Sequence, residues 1–320
     1  MSDLLSQPLS EYNITSMINR HLYKNTIWVD LERPTVTEID SLMTEFNLDP
    51  EIAQELSLPT FKSKTSRFDD YIYLVLHFPA PKYKLNGHNS QEIDFVIGKN
   101  FLITTRYANI DAVEKFEKIF EVNSLLGKSD NENSAVFFFY SLMTQIFEGM
   151  ENEIEALNDK LNAIEKSIFE GKEKEMVITL SKTNRDLLNF QNVIRSQQDV
   201  ITDFEKSGRT FFTRHLQYGL SAFVSNYYKV ENMLEKNINF LRELRETNNS
   251  LLSTKQNEIM KTLTIITFIA MPFSIITGLF QMNTVGTPLV GVDFDWQIVV
   301  GTELSITAIL FIFARSKKWL

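Results

Sequence analysis

Two sets of residues toward the C-terminus have the types and spacing for chemistry. The first lies on one helical face. Steps of three and four residues from Glu243 pass through Glu246, Ser250, Ser253, Asn257, Met260, Thr264, Thr267, Met271, Ser274, Gly278 and Gln281, and such steps keep to one side of an α-helix. Beyond Lys261 this stripe gathers Thr264, Thr267, Ser274 and Gly278, while the other faces hold mainly Ile, Leu and Phe, with Thr262 and Thr277 as exceptions. Small and polar residues aligned in an apolar helix suit a helix–helix contact or the wall of a water-filled axis. Glu243, Glu246 and Asn257, continuing the stripe upstream, favour the axis; pairing of the two glutamates with Arg242 and Arg245 on a solvated face is the other account. The second set is a single residue. Glu303 is a carboxylate inside an apolar run, either a proton carrier or a neutral side chain bonded to Thr302, Thr307 or the preceding helix.

Other chemistries find little support. The absence of cysteine removes disulfides, thiolate metal sites and thiol nucleophiles. The four histidines, His21, His77, His88 and His215, have no ligand spacing. No Gly-rich phosphate loop or nucleophile elbow is present, and Asp69-Asp70 reads as a turn or surface pair. No enzyme is expected. The net charge of -9 argues against a nucleic-acid partner; the acidity fits a solvated domain or a surface that concentrates cations.

The elements that must position these residues follow from hydropathy. Between Lys261 and Asp293 there is no charged side chain. Roughly 20 such residues at about 1.5 Å each cross a bilayer. The spacing predicts a first span over 262–283, an external loop over 284–295, a second span over 296–314 and a basic tail over 315–320. Lys255 and Lys261 precede the first span, Arg315, Lys317 and Lys318 follow the second, and the loop carries Asp293 and Asp295 but no basic residue. By the positive-inside rule both termini face the cytosol, in a multi-pass protein of the plasma (inner) membrane. The first ten residues lack the basic and apolar regions of a secretory signal. A two-span hairpin cannot enclose an aqueous path alone, so conduction requires an oligomer around an axis.

Upstream, residues 1–132 read as a mixed α/β domain. Its strands are Thr26–Leu31, Phe61–Asp69, Tyr71–Phe78, Glu92–Ile97 and Phe101–Arg106, with a loop over Pro81–Gln91. Helices start after Thr35 or Thr37 and after Asp49, which precedes Pro50. Residues 133–208 predict an antiparallel helical hairpin. One arm runs from Phe137 to Phe169 with Ile154, Leu157, Leu161, Ile164 and Ile168 on its apolar side, and Gly171 breaks it. The other runs from Lys174 to Phe204 with Val177, Leu180, Leu187, Leu188, Val193 and Ile194 buried. A stalk helix over 209–261 keeps a near-heptad seam through Leu220, Phe223, Tyr227, Val230, Leu234, Leu241, Leu244 and Leu251. It continues into the first span as one rod of roughly 90 Å.

The stretch Thr254–Asn283 reads Asn257-Glu-Ile-Met-Lys-Thr-Leu-Thr-Ile265, then Pro272, then Thr277-Gly278, and closes on Gln281-Met282-Asn283. This resembles the signature of the CorA superfamily of divalent-cation transporters. Trp28-Val-Asp-Leu31, Phe68–Leu76 and Phe95–Arg106 extend the likeness over the whole chain. The resemblance implies a funnel-shaped homopentamer with an α+β cytosolic domain, a helical stalk and two transmembrane helices. It implies no covalently bound cofactor, and a hydrated divalent ion (Mg²⁺, Co²⁺, Ni²⁺ or Zn²⁺) as the transported species. Gln281, Met282 and Asn283 would form the selectivity filter, with Asn283 holding the ion through its bound water. Five neutral amide oxygens suit Mg²⁺, which dehydrates reluctantly. Asn257, Met260, Leu263, Met271, Ser274 and Gly278 fall at or beside the family's pore positions. Leu263 and Met271 would be apolar constrictions, and Asn257 and Ser274 polar rings.

The chain departs from the family pattern in places. Gln281 stands where the motif has glycine. The loop reads Thr284-Val-Gly-Thr-Pro-Leu-Val-Gly291 and the tail Arg315-Ser-Lys-Lys-Trp-Leu320, closer to the ZntB branch associated with zinc and proton-linked uptake. Ala222 replaces a stalk aspartate that helps magnesium-transporting members bind a regulatory ion. A proton-coupled zinc transporter is therefore the alternative, and a non-conducting membrane-anchored helical scaffold the more remote one.

Overall fold

The computed structural model describes residues 17–80, 90–126, 134–213, 217–282 and 293–317. The chain divides into two compact units. The first comprises residues 1–166 and 178–242, the second 167–177 and 243–320.

The first unit is built on a six-stranded sheet. Its strands are β1 (Met17–Tyr23), β2 (Thr26–Glu32), β3 (Lys64–Arg67), β4 (Tyr71–Pro79), β5 (Ser90–Gly98) and β6 (Phe101–Arg106). The order is β1-β2-β6-β5-β4-β3, antiparallel throughout except between β2 and β6. Helices α1 (Val36–Phe46) and α2 (Pro50–Glu55) link β2 to β3. Thr35 caps α1 in a box with Glu38: each backbone N–H meets the other's side chain. Asp49, expected to cap α2, takes another partner. Its carboxylate accepts from the Tyr71 hydroxyl at 2.7 Å and makes no cap bond.

Both faces of the sheet are covered, which explains the near-continuous apolar text of β4 and β5. One face joins Val29, Leu31, Tyr73, Val75, Val96 and Ile103 to Ile39, Leu42 and Ile52 of α1 and α2. The other is aromatic. Trp28 meets Phe116 at 5.0 Å between ring centroids, Phe95 meets Phe139 at 5.1 Å, and Phe139 meets Phe204 at 5.4 Å. Phe116 belongs to α3 (Asp111–Leu126), which, like β1, has no counterpart in the sequence reading. The strand expected over Phe61–Asp69 is confined to Lys64–Arg67.

Two buried carboxylates interrupt the first face. Burial, and then the neighbouring Glu92 carboxyl, push Asp94 well above the ordinary range. Burial alone would raise Glu92 as well, but hydrogen bonds from His77 and Thr60 hold it below its ordinary value.

The helical hairpin begins with α4 (Ala135–Phe169) and turns at Gly171, whose φ of 91° lies in the left-handed region. The Lys172 amide reaches back to the Ser167 carbonyl at 3.1 Å. The return arm differs from expectation: it is two helices, α5 (Glu173–Arg195) and α6 (Gln198–Phe211). The break frees Gln197, whose amide oxygen accepts from the His77 N–H at 3.2 Å and whose amide nitrogen donates to the His77 carbonyl at 2.8 Å. β3 does not reach that end of β4, so this one side chain closes the exposed edge. Leu187 is buried and its neighbour Leu188 is exposed, as is Val177, because adjacent residues point about 100° apart on a helix.

Helix α7 (Gln217–Gln281) follows. It starts later than the expected residue 209, since residues 209–211 close α6. Its seam is buried from Leu220 to Leu244. Asn237 sits in that seam and donates to the Ile154 carbonyl at 2.9 Å. In the second unit α7 carries Pro272, which has no N–H for the Phe268 carbonyl. Helix α8 (Asp295–Ser316) completes the described chain.

Candidate functional site

Two helices are long and apolar enough to cross a membrane. They are α7, whose most apolar window has a mean hydropathy of 2.1, and Trp296–Ser316 within α8, at 1.9. Their large apolar side chains are exposed along the segment: Leu263, Ile266, Phe268, Phe273, Ile275 and Leu279 among them. That much apolar surface in water would be strongly unfavourable, and hydrocarbon is the solvent that suits it.

Each helix has one shielded line. On α7 it is Ile265, Ile269, Pro272, Ile276 and Phe280; on α8 it is Val300, Glu303, Thr307, Leu310 and Ala314. Every other described side chain from Lys261 to Gln281 is exposed. At about 100° per residue, the stripe through Thr264, Thr267, Met271, Ser274, Gly278 and Gln281 lies roughly opposite the shielded line of α7. Its upstream members Glu243, Glu246, Ser250, Ser253, Asn257 and Met260 are exposed too, as is Leu263. Among the described residues, the stripe is thus a face without a partner inside one chain.

The hydroxyls on that face share one arrangement. Thr264 donates to the Met260 carbonyl at 2.8 Å, Thr267 to Leu263 at 2.9 Å and Ser274 to Ala270 at 3.4 Å. Their single hydrogens are engaged by the helix itself, so what they turn outward is oxygen lone pairs. Such a surface accepts from water or from the hydration shell of a cation. A side chain built on Gly278 would meet nothing within 4 Å. Met282 is exposed, and Asn283 lies outside the described residues, as do 284–292 of the loop, residues 318–320 of the tail, His88 and His215. Ala222 is exposed on α7.

Glu303 is 6% exposed, in the middle of the shielded line of α8. Its Oε1 lies 2.8 Å from the Thr277 hydroxyl of α7. Of the partners considered from sequence, the neighbouring helix supplies the bond. Thr307 donates to the Glu303 backbone carbonyl and Thr302 to Ile298. Among the described residues, no group of three His, Cys, Asp or Glu could hold a metal ion.

A family model described as "CorA-like Mg2+ transporter protein" matches residues 23–315. The chain belongs to the CorA-like Mg²⁺ transporter family. This is a family of membrane transporters and not of enzymes. The cobalt/magnesium transport protein CorA of Thermotoga maritima is 20% identical over 294 residues, which cover 92% of this chain and 83% of that protein. Among solved structures, the CorA magnesium transporter of Methanocaldococcus jannaschii superposes with a TM-score of 0.77 at 19% identity, covering 92% of both chains. The ZntB cytoplasmic domain of Vibrio parahaemolyticus gives 0.58 at 12% identity, over 72% of this chain and 89% of that one. The first likeness establishes a CorA-type fold, an α/β domain, a long helix and a C-terminal helix, and the second is a likeness to a cytoplasmic domain alone. Glu303 lies outside the Thr254–Asn283 stretch that carries the CorA signature, and its partner Thr277 lies within it.

Proposed function

We propose that the protein carries divalent metal cations across the plasma (inner) membrane as a homo-oligomer, with one α7 helix per copy lining a central axis. The observation that supports this is the unpartnered stripe. Thr264, Thr267, Met271, Ser274 and Gly278 face away from α8, so copies of α7 meeting on that face would enclose lone-pair oxygens rather than lipid. The CorA resemblance adds the number five and the ring of Asn283 side chains at the outer mouth, which would hydrogen-bond the water of a hydrated ion. Lys255, Lys261, Arg315, Lys317 and Lys318 support a topology with both termini cytosolic. Glu243, Glu246, Ser250 and Ser253 then line the cytosolic approach.

Met282-Asn283 and the printed names of the relatives favour Mg²⁺ and Co²⁺, with Ni²⁺ handled alike. A second reading, proton-coupled zinc transport of the ZntB kind, draws on the loop text Thr284–Gly291 and the tail Arg315–Leu320. The deciding experiment is side-by-side Mg²⁺ and Zn²⁺ uptake into proteoliposomes by wild type and Asn283→Ala. Transport predicts uptake of at least one ion and its loss in the variant. Wild-type liposomes no more permeable than protein-free ones would sink the reading and leave the membrane-anchored scaffold.

A further inference from the structure

The hydrogen-bond arithmetic around Thr277 is specific. Its Oγ1 lies 2.9 Å from the Phe273 carbonyl oxygen and 2.8 Å from Oε1 of Glu303. A hydroxyl donates one hydrogen and accepts two, whereas a carbonyl only accepts. When Glu303 is ionised, the Thr277 hydrogen goes to the carboxylate, and the Phe273 carbonyl keeps its bond from the helix backbone. When Glu303 is protonated, the acid donates to Thr277 Oγ1, and the Thr277 hydrogen turns to Phe273. Both states are fully bonded at this contact with the same heavy-atom positions. Rotation of one hydroxyl separates them.

Among the described residues of the second unit, no other titratable group shares the layer of this carboxyl. From Thr262 to Val292 the chain has no Asp, Glu, Lys, Arg, His or Tyr, so the facing helix brings none. On α8 the other charged residues are Asp295 and Arg315, at its two ends. In the hairpin turn of the same unit, Glu173 is engaged with Lys255. An ion pair therefore does not account for Glu303. Thr277 in turn adjoins Gly278 of the unpartnered stripe.

We propose that Glu303 is a proton-binding site of the transport cycle, with the Thr277 hydroxyl as the partner that accommodates both protonation states. The site takes one proton from water on one side of the membrane and returns it on the other: carboxylate plus proton gives carboxylic acid, and no heavy-atom bond forms or breaks. The imposed proton gradient is the co-reactant. Through Thr277 the charge on the second span acts on the helix proposed to line the axis. This coupling rests on the transport reading above; proton binding at Glu303 does not.

Two measurements on the full-length protein in lipid keep these apart. Infrared difference spectra recorded between acidic and alkaline pH should show a carboxylic-acid C=O band that titrates and is lost in Glu303→Gln. The band should move in Thr277→Val and return to its place in Thr277→Ser. Absence of a band specific to Glu303 would overturn proton binding. In proteoliposomes, divalent uptake by wild type should change when a pH gradient is imposed, and Glu303→Gln should lose that dependence. A Glu303→Gln protein that keeps the wild-type response to the gradient would overturn the coupling. A titrating Glu303 band in a wild type that moves no divalent cation would overturn the transport reading alone and sustain the proton site.

Discussion

Lys255 Nζ lies 2.6 Å from Oε2 of Glu173 and 3.4 Å from the Gly171 carbonyl oxygen. A residue of α7 just ahead of the first span thereby grips the turn between α4 and α5. Glu173 is the first residue of α5, where the helix N-terminus favours a negative charge, and the Lys255 hydrogen bond holds its carboxyl below the ordinary range.

Lys255→Met should release that turn. Hydrogen exchange of residues 167–177, followed by mass spectrometry, should quicken in the variant at neutral pH. Because the folded-state pKa of Glu173 is lowered, the contact is complete at neutral pH and weakens as pH falls through that lowered value. The wild-type turn should therefore approach the variant in acid, after correction for intrinsic exchange. Equal exchange at neutral pH would count against the grip.

Because the chain contains no cysteine, single cysteines report without background. Thr267→Cys and Ser274→Cys should be modified by a water-soluble thiol reagent, with loss of divalent uptake, while Ile265→Cys, on the shielded line, should resist. Equal protection at all three positions would argue that the stripe is a dry helix contact.

Asp94→Asn should stabilise the α/β domain at neutral pH. The raised pKa of Asp94 means that its contribution is fully present in acid and is lost as pH rises toward and through the folded value. Asparagine keeps an acceptor for the Tyr107 hydroxyl, now 3.1 Å from Oδ2, and brings an amide donor to Glu92 without a charge to bury. Thermal unfolding should show a higher midpoint than wild type at neutral pH and a smaller difference in acid.

Gln197→Ala removes both bonds to the His77 backbone and leaves a strand edge open beside half-buried neighbours. The expected loss is about 1–3 kcal/mol, the scale for stranding buried polar groups. Denaturant unfolding monitored on the α/β domain measures it, and faster exchange at the His77 amide should accompany it.

Much of this architecture was legible before any coordinates. Runs of β-branched and aromatic residues located β2, β4, β5 and β6, and the seam through Leu220, Tyr227 and Leu234 located the buried side of α7. The uncharged run located the apolar end of α7. What escaped depends on pairing across the chain. β1 is an edge strand whose described side chains are at most half-buried, and its contacts lie on other elements, as where His21 stacks on Trp28 at 4.8 Å. The break before Gln198 has no glycine or proline to announce it; it follows from Gln197 finding His77, far away in sequence. α3 did leave a signal, with Val113, Phe116 and Phe120 at helical spacing. At the candidate site the stripe could be listed from spacing alone, but not which face α8 covers, nor that Glu303 would meet Thr277 rather than Thr302 or Thr307. Those are facts about a second helix.

The missing rung at Pro272 has a mechanical consequence. Water repairs a broken helical bond in solution, but hydrocarbon offers no substitute for the N–H that the Phe268 carbonyl lacks. The first span is thereby divided into two stiff segments that meet at a joint with fewer backbone constraints than the rods on either side. Ser274, Thr277 and Gly278 lie on the segment after Pro272, Thr264 and Thr267 on the one before it. That joint lies about one and a half turns before Thr277, the residue that meets Glu303.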